Sequence, residues 1–391
     1  MKNKLFIFLV SLLTFFVVRI TTLPVGNPES VHQQNQEGYY DYQGVIHFHT
    51  NYSGDATGTF EEIARVAGQQ KVDFLISTDH NTLRPLEDKK EGWYQNTLVL
   101  AGEELSLPEG YLLALNVKNV TRLPGEKTEE VISDIVKQGG LLFIAHPDHP
   151  KWKWKIGDDR GMTGEEILDF ADQWYTAQPA AVILSLLSYP FNSSAAFIQL
   201  YERPEKTLKG WDRRNEKNKM VGIFAPDFHQ AVRVSGKVKI PFPKAEKVLP
   251  IAHDHVLLKN PFSGNFQEDK KALYEAIQKG HLYVSMDILE NAGGFLFSAK
   301  QNGQNVWMGD QLPAGQPAVF SVKLPVNHKF KELTTRLYRN GREVSNSREA
   351  ALTFETKEAG EYRVEVEVEI PAFWGGTRKV TWIYSNPIYL R

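Results

Sequence analysis

The sequence predicts an α/β domain built on a largely parallel sheet or barrel, followed by an all-β module of the sandwich type. Three observations carry that prediction. From Gly44 to about Asp287, short apolar runs alternate with amphipathic stretches, the pattern of strands joined by helices. After Gly293, short alternating segments follow one another with turn residues between them, as in a β-sandwich. The 391 residues include 42% apolar and 24% charged side chains, an ordinary globular mixture with enough length for two or three domains.

The elements follow in order. Met1-Lys2-Asn3-Lys4 precedes an apolar run from Leu5 to Val18, a short positive region and a stretch of secretory-signal length. The run is shorter than the roughly 20 residues of a membrane span. Arg19 interrupts it, Ile20–Val25 could extend it, and no small-x-small cleavage site follows. Residues 1–25 are thus read as either a signal peptide or an N-terminal membrane anchor. Residues 26–42 form a polar linker. The main domain, 43–290, opens with strand Gly44–Phe48 and helix Thr59–Gln70, whose Thr and following Glu make a capping signature. Strands Val72–Ser77, Thr97–Ala101 and Tyr111–Val117 come next. Helix Lys127–Gln138, closed by Gly139-Gly140, leads to strand Leu141–Ala145. Thr163–Tyr175 reads as a helix, Ala180–Leu187 as a strand and Arg203–Lys219 as a helix. Strand Val221–Ala225, helix Glu268–Lys279 and strand His281–Ser285 complete the domain. In the β-module, 291–391, strands are predicted at Phe295–Ala299, Ala318–Leu324, Glu332–Arg339, Ala351–Glu355, Glu361–Ile370 and Arg378–Tyr384. Asn340-Gly341 is a hairpin signal between two of them.

Composition narrows the chemistry. Lys and Arg total 45 against 47 Asp and Glu, so nucleic acid is not held by bulk charge. The absence of cysteine excludes disulfides, thiolate zinc sites, a cysteine nucleophile and a lipid-modified N-terminal cysteine. Any metal must be held by His, Asp and Glu. The N-terminal run places the working part outside the cytoplasm: secreted, periplasmic or membrane-anchored.

The informative residues sit where predicted strands end. The first strand runs into His47-Phe48-His49, whose imidazoles point to the same side and can converge on one ion. Asp55 follows. Later strands end in Thr78-Asp79-His80, Gly102-Glu103-Glu104, Ala145-His146-Pro147 and Asp227-Phe228-His229. Carboxyl ends of parallel strands are where α/β folds place their sites. Mixed His and carboxylate shells suit zinc, manganese or iron.

Over Gly44 to Asp287 these motifs resemble the PHP (polymerase and histidinol phosphatase) family of metal-dependent phosphoesterases. The resemblance implies a TIM-like, distorted (β/α)7 barrel carrying two or three divalent metals at its C-terminal face. It implies one metal held by His47, His49, a glutamate and Asp227. A second would be held by Asp55, His80 and His229, and a third would share the glutamate and add His146. Spacing favours Glu104 as the shared ligand, with Glu103 the alternative. A further family histidine corresponds to Tyr111, so the His146 metal is under-supplied unless Asp148 or His149 contributes. The implied reaction is hydrolysis of a phosphomonoester or diester, small-molecule or envelope-borne, by a metal-activated hydroxide. Asp227 and His229 are the candidates for roles beyond metal binding, and Asp79 for orienting a ligand.

Arg84, Arg160 and Arg233 follow motif strands and could grip a phosphate. Lys151-Trp152-Lys153-Trp154-Lys155 could bind phosphate, sugar or base, or be an exposed loop. Trp211 and Trp307 read as packing residues. Two other functions stay open. One is an amidohydrolase-type metal hydrolase, although no lysine stands at a middle strand end to bridge metals. The other is a non-catalytic envelope binding protein that its metals only stabilise.

Overall fold

The computed structural model describes residues 38–119, 127–157, 159, 161–235, 238–325 and 328–391. The candidate signal or anchor, most of the linker and Arg160 lie outside the described residues; the last linker positions, Tyr40–Tyr42, are instead the start of the first strand, paired with Val256–Leu258.

The chain forms a mixed α/β body whose sheet runs on into an all-β module. Strand β1 (Tyr40–Ile46) pairs in parallel with β2 (Phe74–His80), and β2 with β3 (Thr97–Leu107). Gly44 is required here, because a Cβ would stand 2.4 Å from the Phe74 ring across the pair. The chain then turns back through the antiparallel strands β4 (Gly110–Leu115) and β5 (Leu141–Ala145). Parallel pairing resumes with β6 (Gly164–Asp169) and β7 (Val221–Ala225). Strict strand–helix alternation therefore breaks at the β3–β4 hairpin. On the other side of β1 lie the antiparallel strands β8 (His253–Leu258) and β9 (Leu282–Ser285). A parallel bridge between Phe48 and Phe228 joins the first and last strands of the β1–β7 run. The Asp227 N–H donates to His47 O at 3.1 Å and the His49 N–H to Phe228 O at 3.0 Å. The C-terminal ends of β1, β2, β5 and β7 thus meet at one rim, with Glu104 of β3 in register beside His80.

Helix α1 (Phe60–Gln69) is capped by Thr59, whose hydroxyl accepts the Glu62 N–H, and it buries Phe60, Ile63, Ala64 and Ala67. Helix α2 (Thr128–Lys137) agrees with the sequence pattern. Two predictions fail. Thr163–Tyr175 is not one helix but strand β6 followed by α3 (Phe170–Thr176). Its two glutamates drive the difference. Glu165 and Glu166 are fully buried, paired with Arg214 at 2.6 Å and His47 at 2.5 Å, partners that only the tertiary fold supplies. Ala180–Leu187 is not a buried strand but most of helix α4 (Pro179–Ser188), with Pro179 in its first turn. Its apolar run meets solvent: Ile183, Leu186 and Leu187 are all more than half exposed. Helices α5 (Ser193–Leu200), α6 (Glu205–Asn215) and α7 (Phe266–Lys279) follow, α7 ending on Gly280 in the left-handed region.

In the all-β part, one sheet holds Gln304–Trp307, Leu296–Gln301, Ala318–Lys323 and Ala351–Thr356 in that order. The facing strands are Leu333–Arg339, Gly360–Pro371 and Thr377–Ser385, with Phe320 stacked on Tyr362 at 4.3 Å between the layers. Asn340 and Gly341, both at positive φ, turn the hairpin from Leu333–Arg339 into Arg342–Ser347. Thr377–Ser385 pairs directly with β9, so hydrogen bonding is continuous between the two parts.

Candidate metal centre

The rim residues are held in unusual backbone. His47, His146 and Asp227 have φ of 70°, 50° and 41°. Left-handed backbone at a non-glycine residue costs about 1–3 kcal/mol and persists where the surroundings enforce it. Each of the three aims its side chain inward from a strand end.

Four side chains converge first. His47 Nε2 and His49 Nε2 are 3.2 Å apart. Asp227 Oδ1 is 3.2 and 3.0 Å from these nitrogens, and Glu104 Oε2 is 3.5 and 3.3 Å from them. Such separations are the edges of a tetrahedron around an ion with the roughly 2.0–2.2 Å bonds of zinc to nitrogen and oxygen. A second group lies beside it. His80 Nε2 and His229 Nε2 are 3.4 Å apart, and Asp55 Oδ2 is 3.2 and 3.5 Å from them. Glu104 faces both groups, with Oε2 2.8 Å from His80 Nδ1. Its Oε1 is 3.4 Å from His146 Nε2, which in turn stands 3.8 Å from Asp227 Oδ2.

The decisive detail is what Glu104 lacks. It is 1% exposed, yet neither carboxylate oxygen has a hydrogen bond, and the close His80 contact is not aligned as one. Buried carboxylates are ordinarily paired and hydrogen-bonded or bound to metal. A set of imidazole nitrogens and carboxylate oxygens, gathered around an oxygen pair with no aligned hydrogen bond, fits divalent cations.

Three histidines are oriented from behind. His47 Nδ1 sits 2.5 Å from Glu166 Oε1, and Glu166 Oε2 accepts the His146 N–H at 2.8 Å. His146 Nδ1 is 2.7 Å from Asp169 Oδ2 and 3.2 Å from Asp172 Oδ1. His49 Nδ1 is 3.0 Å from Ser53 Oγ, whose hydroxyl donates to Asp79. Asp79 also accepts the Thr50 and Ser53 N–H groups, so it fixes the loop after β1. With Nδ1 donating to these acceptors, each Nε2 is left as a lone pair facing the centre.

Electrostatics agree. Burial alone would lower the pKa of these imidazoles, but the surrounding carboxylates outweigh it. Glu166, Asp227 and Glu104 raise His47 well above its usual range, and Asp55 with Glu104 raises His80 to about 10. Burial would likewise raise Glu104 and Asp227, but His47 and its neighbours hold both well below the carboxylate range. Without a cation, the carboxylates hold protons on His47, His80 and His146.

The geometry separates the two adjacent glutamates. Glu104 faces the histidines. Glu103, its neighbour on a strand, points to the opposite side and belongs to none of the His/Asp/Glu groups among the described residues. Asp148 pairs with Lys206 at 2.7 Å instead of joining the centre. His149 accepts the Lys151 and Trp152 N–H groups through Nδ1, and its Nε2 lies 3.9 Å from Asp172. Tyr111 packs edge-on against His146. Neither Arg84, placed over the Tyr52 ring, nor Arg233, exposed on the Val232–Ser235 hairpin, lines the cavity above the cluster. In the Lys-Trp segment, Trp152 stacks on His149 at 4.2 Å and lines the cavity, whereas Trp154 is buried. Trp211 is fully buried and Trp307 packs on Tyr39, both as packing residues. Sequence reasoning missed Glu166, Asp169 and Asp172, because it read their segment as a helix. The local sequence Glu165-Glu166-Ile167-Leu168 carries no strand alternation that could have revealed them.

Above the cluster opens a cavity of about 600 Å³. Asp55, His80, Glu104, His146, Asp227 and His229 form its polar floor.

No protein-family profile matches the chain. It is 32% identical over 138 residues to the uncharacterized protein MJ1587 of Methanocaldococcus jannaschii, covering 32% of this chain and 80% of that protein. The chain belongs to the same family as that archaeal protein. Among solved structures it is similar to a two-domain protein from Bacteroides vulgatus containing a predicted PHP-like metal-dependent phosphoesterase. That likeness has 13% identity and a TM-score of 0.40, over 90% of this chain and 99% of the other. An amidohydrolase from Chromobacterium violaceum aligns at 14% identity and a TM-score of 0.28, over 47% of this chain and 87% of the other.

Proposed function

We propose that the protein is an extracytoplasmic, metal-dependent phosphoesterase, working in a distorted (β/α)7-type barrel with two or three divalent cations at the rim. The observation that carries this reading is Glu104, buried with neither oxygen hydrogen-bonded among the nitrogens of four histidines. His47, His49, Glu104 and Asp227 would hold one cation, and Asp55, His80 and His229 a second. Glu104 and His146 offer a sparser third position. Cations there supply Lewis acidity, neutralise phosphoryl charge and make water acidic enough to react at neutral pH. The chain's part is positional. Glu166, Asp169 and Ser53 hold the imidazoles. Asp55, His80 and His229, all partly exposed, form the side of the cluster that faces the cavity. The substrate's phosphoryl group approaches from that side. In the reaction, a water oxygen bonds to phosphorus, the bond from phosphorus to the alcohol oxygen breaks, and the departing oxygen takes up a proton.

The test is metal content together with a panel of phosphomonoesters, diesters and amides, using the full chain and His47→Ala. Hydrolysis of at least one phosphoester, abolished by chelation and by His47→Ala, is the expected result. Bound metal with no phosphoester turnover, or amide turnover alone, would overturn the reading.

A further inference from the structure

We propose that the phosphoester taken by this site is amphiphilic: its phosphoryl group meets the His/Asp/Glu floor, and its apolar chain fills the adjoining cavity. The inference rests on the phosphoesterase reading and adds a substrate class to it. The cavity is of the size that binds whole small molecules, about 600 Å³. Its walls are made by Phe170, Trp174, Leu186, Phe197, Phe242 and Val248. Among the described residues that line it there is no lysine or arginine. A nucleotide or polyphosphate would bring charges that find no lysine or arginine in the lining, and a sugar's many hydroxyls would find only scattered partners such as Ser185, Tyr175 and Gln230 on a mostly apolar wall. An alkyl or isoprenoid chain would instead lose only its contact with water.

A second observation extends the first outward. Two elements of the wall continue as exposed apolar surface. Helix α4 gives Leu186 to the wall and turns Ile183 and Leu187 to solvent, at 59% and 54% exposure. The hairpin of Val232–Ser235 and Val238–Ile240 gives Val232 to the wall and exposes Val234 and Val238 at 62% and 60%. Contiguous apolar surface of this kind marks an interaction site. Its continuity with the cavity identifies the occupant as the lipid surface from which the substrate's chain is drawn. Hydrolysis there forms a bond from water oxygen to phosphorus, breaks the one to the lipid alcohol, and passes a proton to that alcohol's oxygen. The products are the alcohol and a phosphate or phosphomonoester.

The test uses the metal-loaded full chain and three arms. The first measures kcat/KM for alkyl phosphates of increasing length below their micelle concentrations. The second measures binding of unreactive alkyl phosphonates by calorimetry, a readout free of turnover. Both should rise with length, by up to roughly fourfold per buried methylene, and Leu186→Glu should flatten the trend. The third compares the wild type with the Ile183→Glu/Leu187→Glu/Val234→Glu variant. The variant should keep its activity on soluble butyl phosphate. On phosphatidic acid in phosphatidylcholine vesicles it should lose tenfold or more. Hydrolysis of short esters with no dependence on length overturns the amphiphile and leaves the phosphoesterase reading standing. Length-dependent phosphonate binding with no ester hydrolysed overturns the phosphoesterase reading, and the substrate class with it. Undiminished vesicle activity of the triple variant overturns the role of the lip.

Discussion

At the scale of single residues, the centre is a competition between protons and cations. Glu104 and Asp227 are held ionised by imidazolium neighbours, and those imidazoles are held protonated by the same carboxylates. A divalent cation replaces several protons at once. Replacing Glu104 by Gln removes a buried carboxylate that contacts His47, His49, His80 and His146 together, so Glu104→Gln should bind less than half the wild-type metal and lose more than a hundredfold in turnover. Metal analysis and circular dichroism on the same preparation check that the fold survives. Glu166 holds His47 and the His146 backbone from behind, so Glu166→Gln should weaken metal affinity by about 10–100-fold. A chelator competition titration reads that directly. His80, with a pKa near 10 in the cation-free protein, must give up its proton when a cation arrives. Zinc binding should therefore release protons at pH 7 and tighten as pH rises. Calorimetry in two buffers of different ionisation enthalpy measures the release, and a pH-independent affinity would contradict it.

At the scale of elements, strand β6 and helix α4 show what the chain's local pattern conceals. The motif histidines were legible because each stands at the end of an apolar run, where spacing alone sets direction. His47, His49, His80, His146, Asp227 and His229 do meet as their positions imply. Glu165-Glu166-Ile167-Leu168 reads equally well as helix or strand, and only the buried partners Arg214 and His47 decide for strand. The orienting carboxylates were hidden for that reason. The apolar run of α4 suits a strand as well as a helix, and its Pro179 start is the sign that favours the helix. Strands β8 and β9 hold a second charged cluster, apart from the cavity. His255 lies between Asp41 and Asp287, at 2.9 Å from each, and His253 is 2.7 Å from Asp287. Tyr283 adds a 2.6 Å bond to Asp41, so the network ties β9 and β8 to β1. Burial would lower the His255 pKa, but Asp287 and Asp41 raise it to about 10. A group raised from about 6.5 in the unfolded chain stabilises fully below that value, and its contribution fades as pH climbs through 10. His255→Gln should therefore be clearly less stable than wild type at pH 6, with a smaller gap at pH 10. Denaturant titrations at the two pH values test this.

At the scale of the whole molecule, the all-β part is welded to the α/β body rather than tethered to it. The Thr377–Ser385 strand extends the α/β body's own sheet through β9. The Asn386 side chain bonds Gly222 on both its N–H and its carbonyl, and also Leu282 O. Arg363, buried in the Gly360–Pro371 strand, makes a bidentate pair with Asp212 of α6 at 2.5 and 2.9 Å, and reaches Glu365 at 2.6 Å. Removing one member of a buried pair strands the other charge. Arg363→Ala should cost about 3–5 kcal/mol, seen as a lowered denaturation midpoint, while metal stoichiometry at low temperature stays near wild type. Among the described residues no helix is long and apolar enough to cross a membrane.

The central claim is that the rim holds catalytic cations through Glu104, and parallel metal counting and phosphoester assay on the wild type and Glu104→Gln test it most directly. The wild-type chain should hold at least two divalent cations and the variant fewer than one, with hydrolysis falling in step. A wild-type protein that hydrolyses phosphoesters with less than one cation per chain, undiminished by chelation, would contradict it.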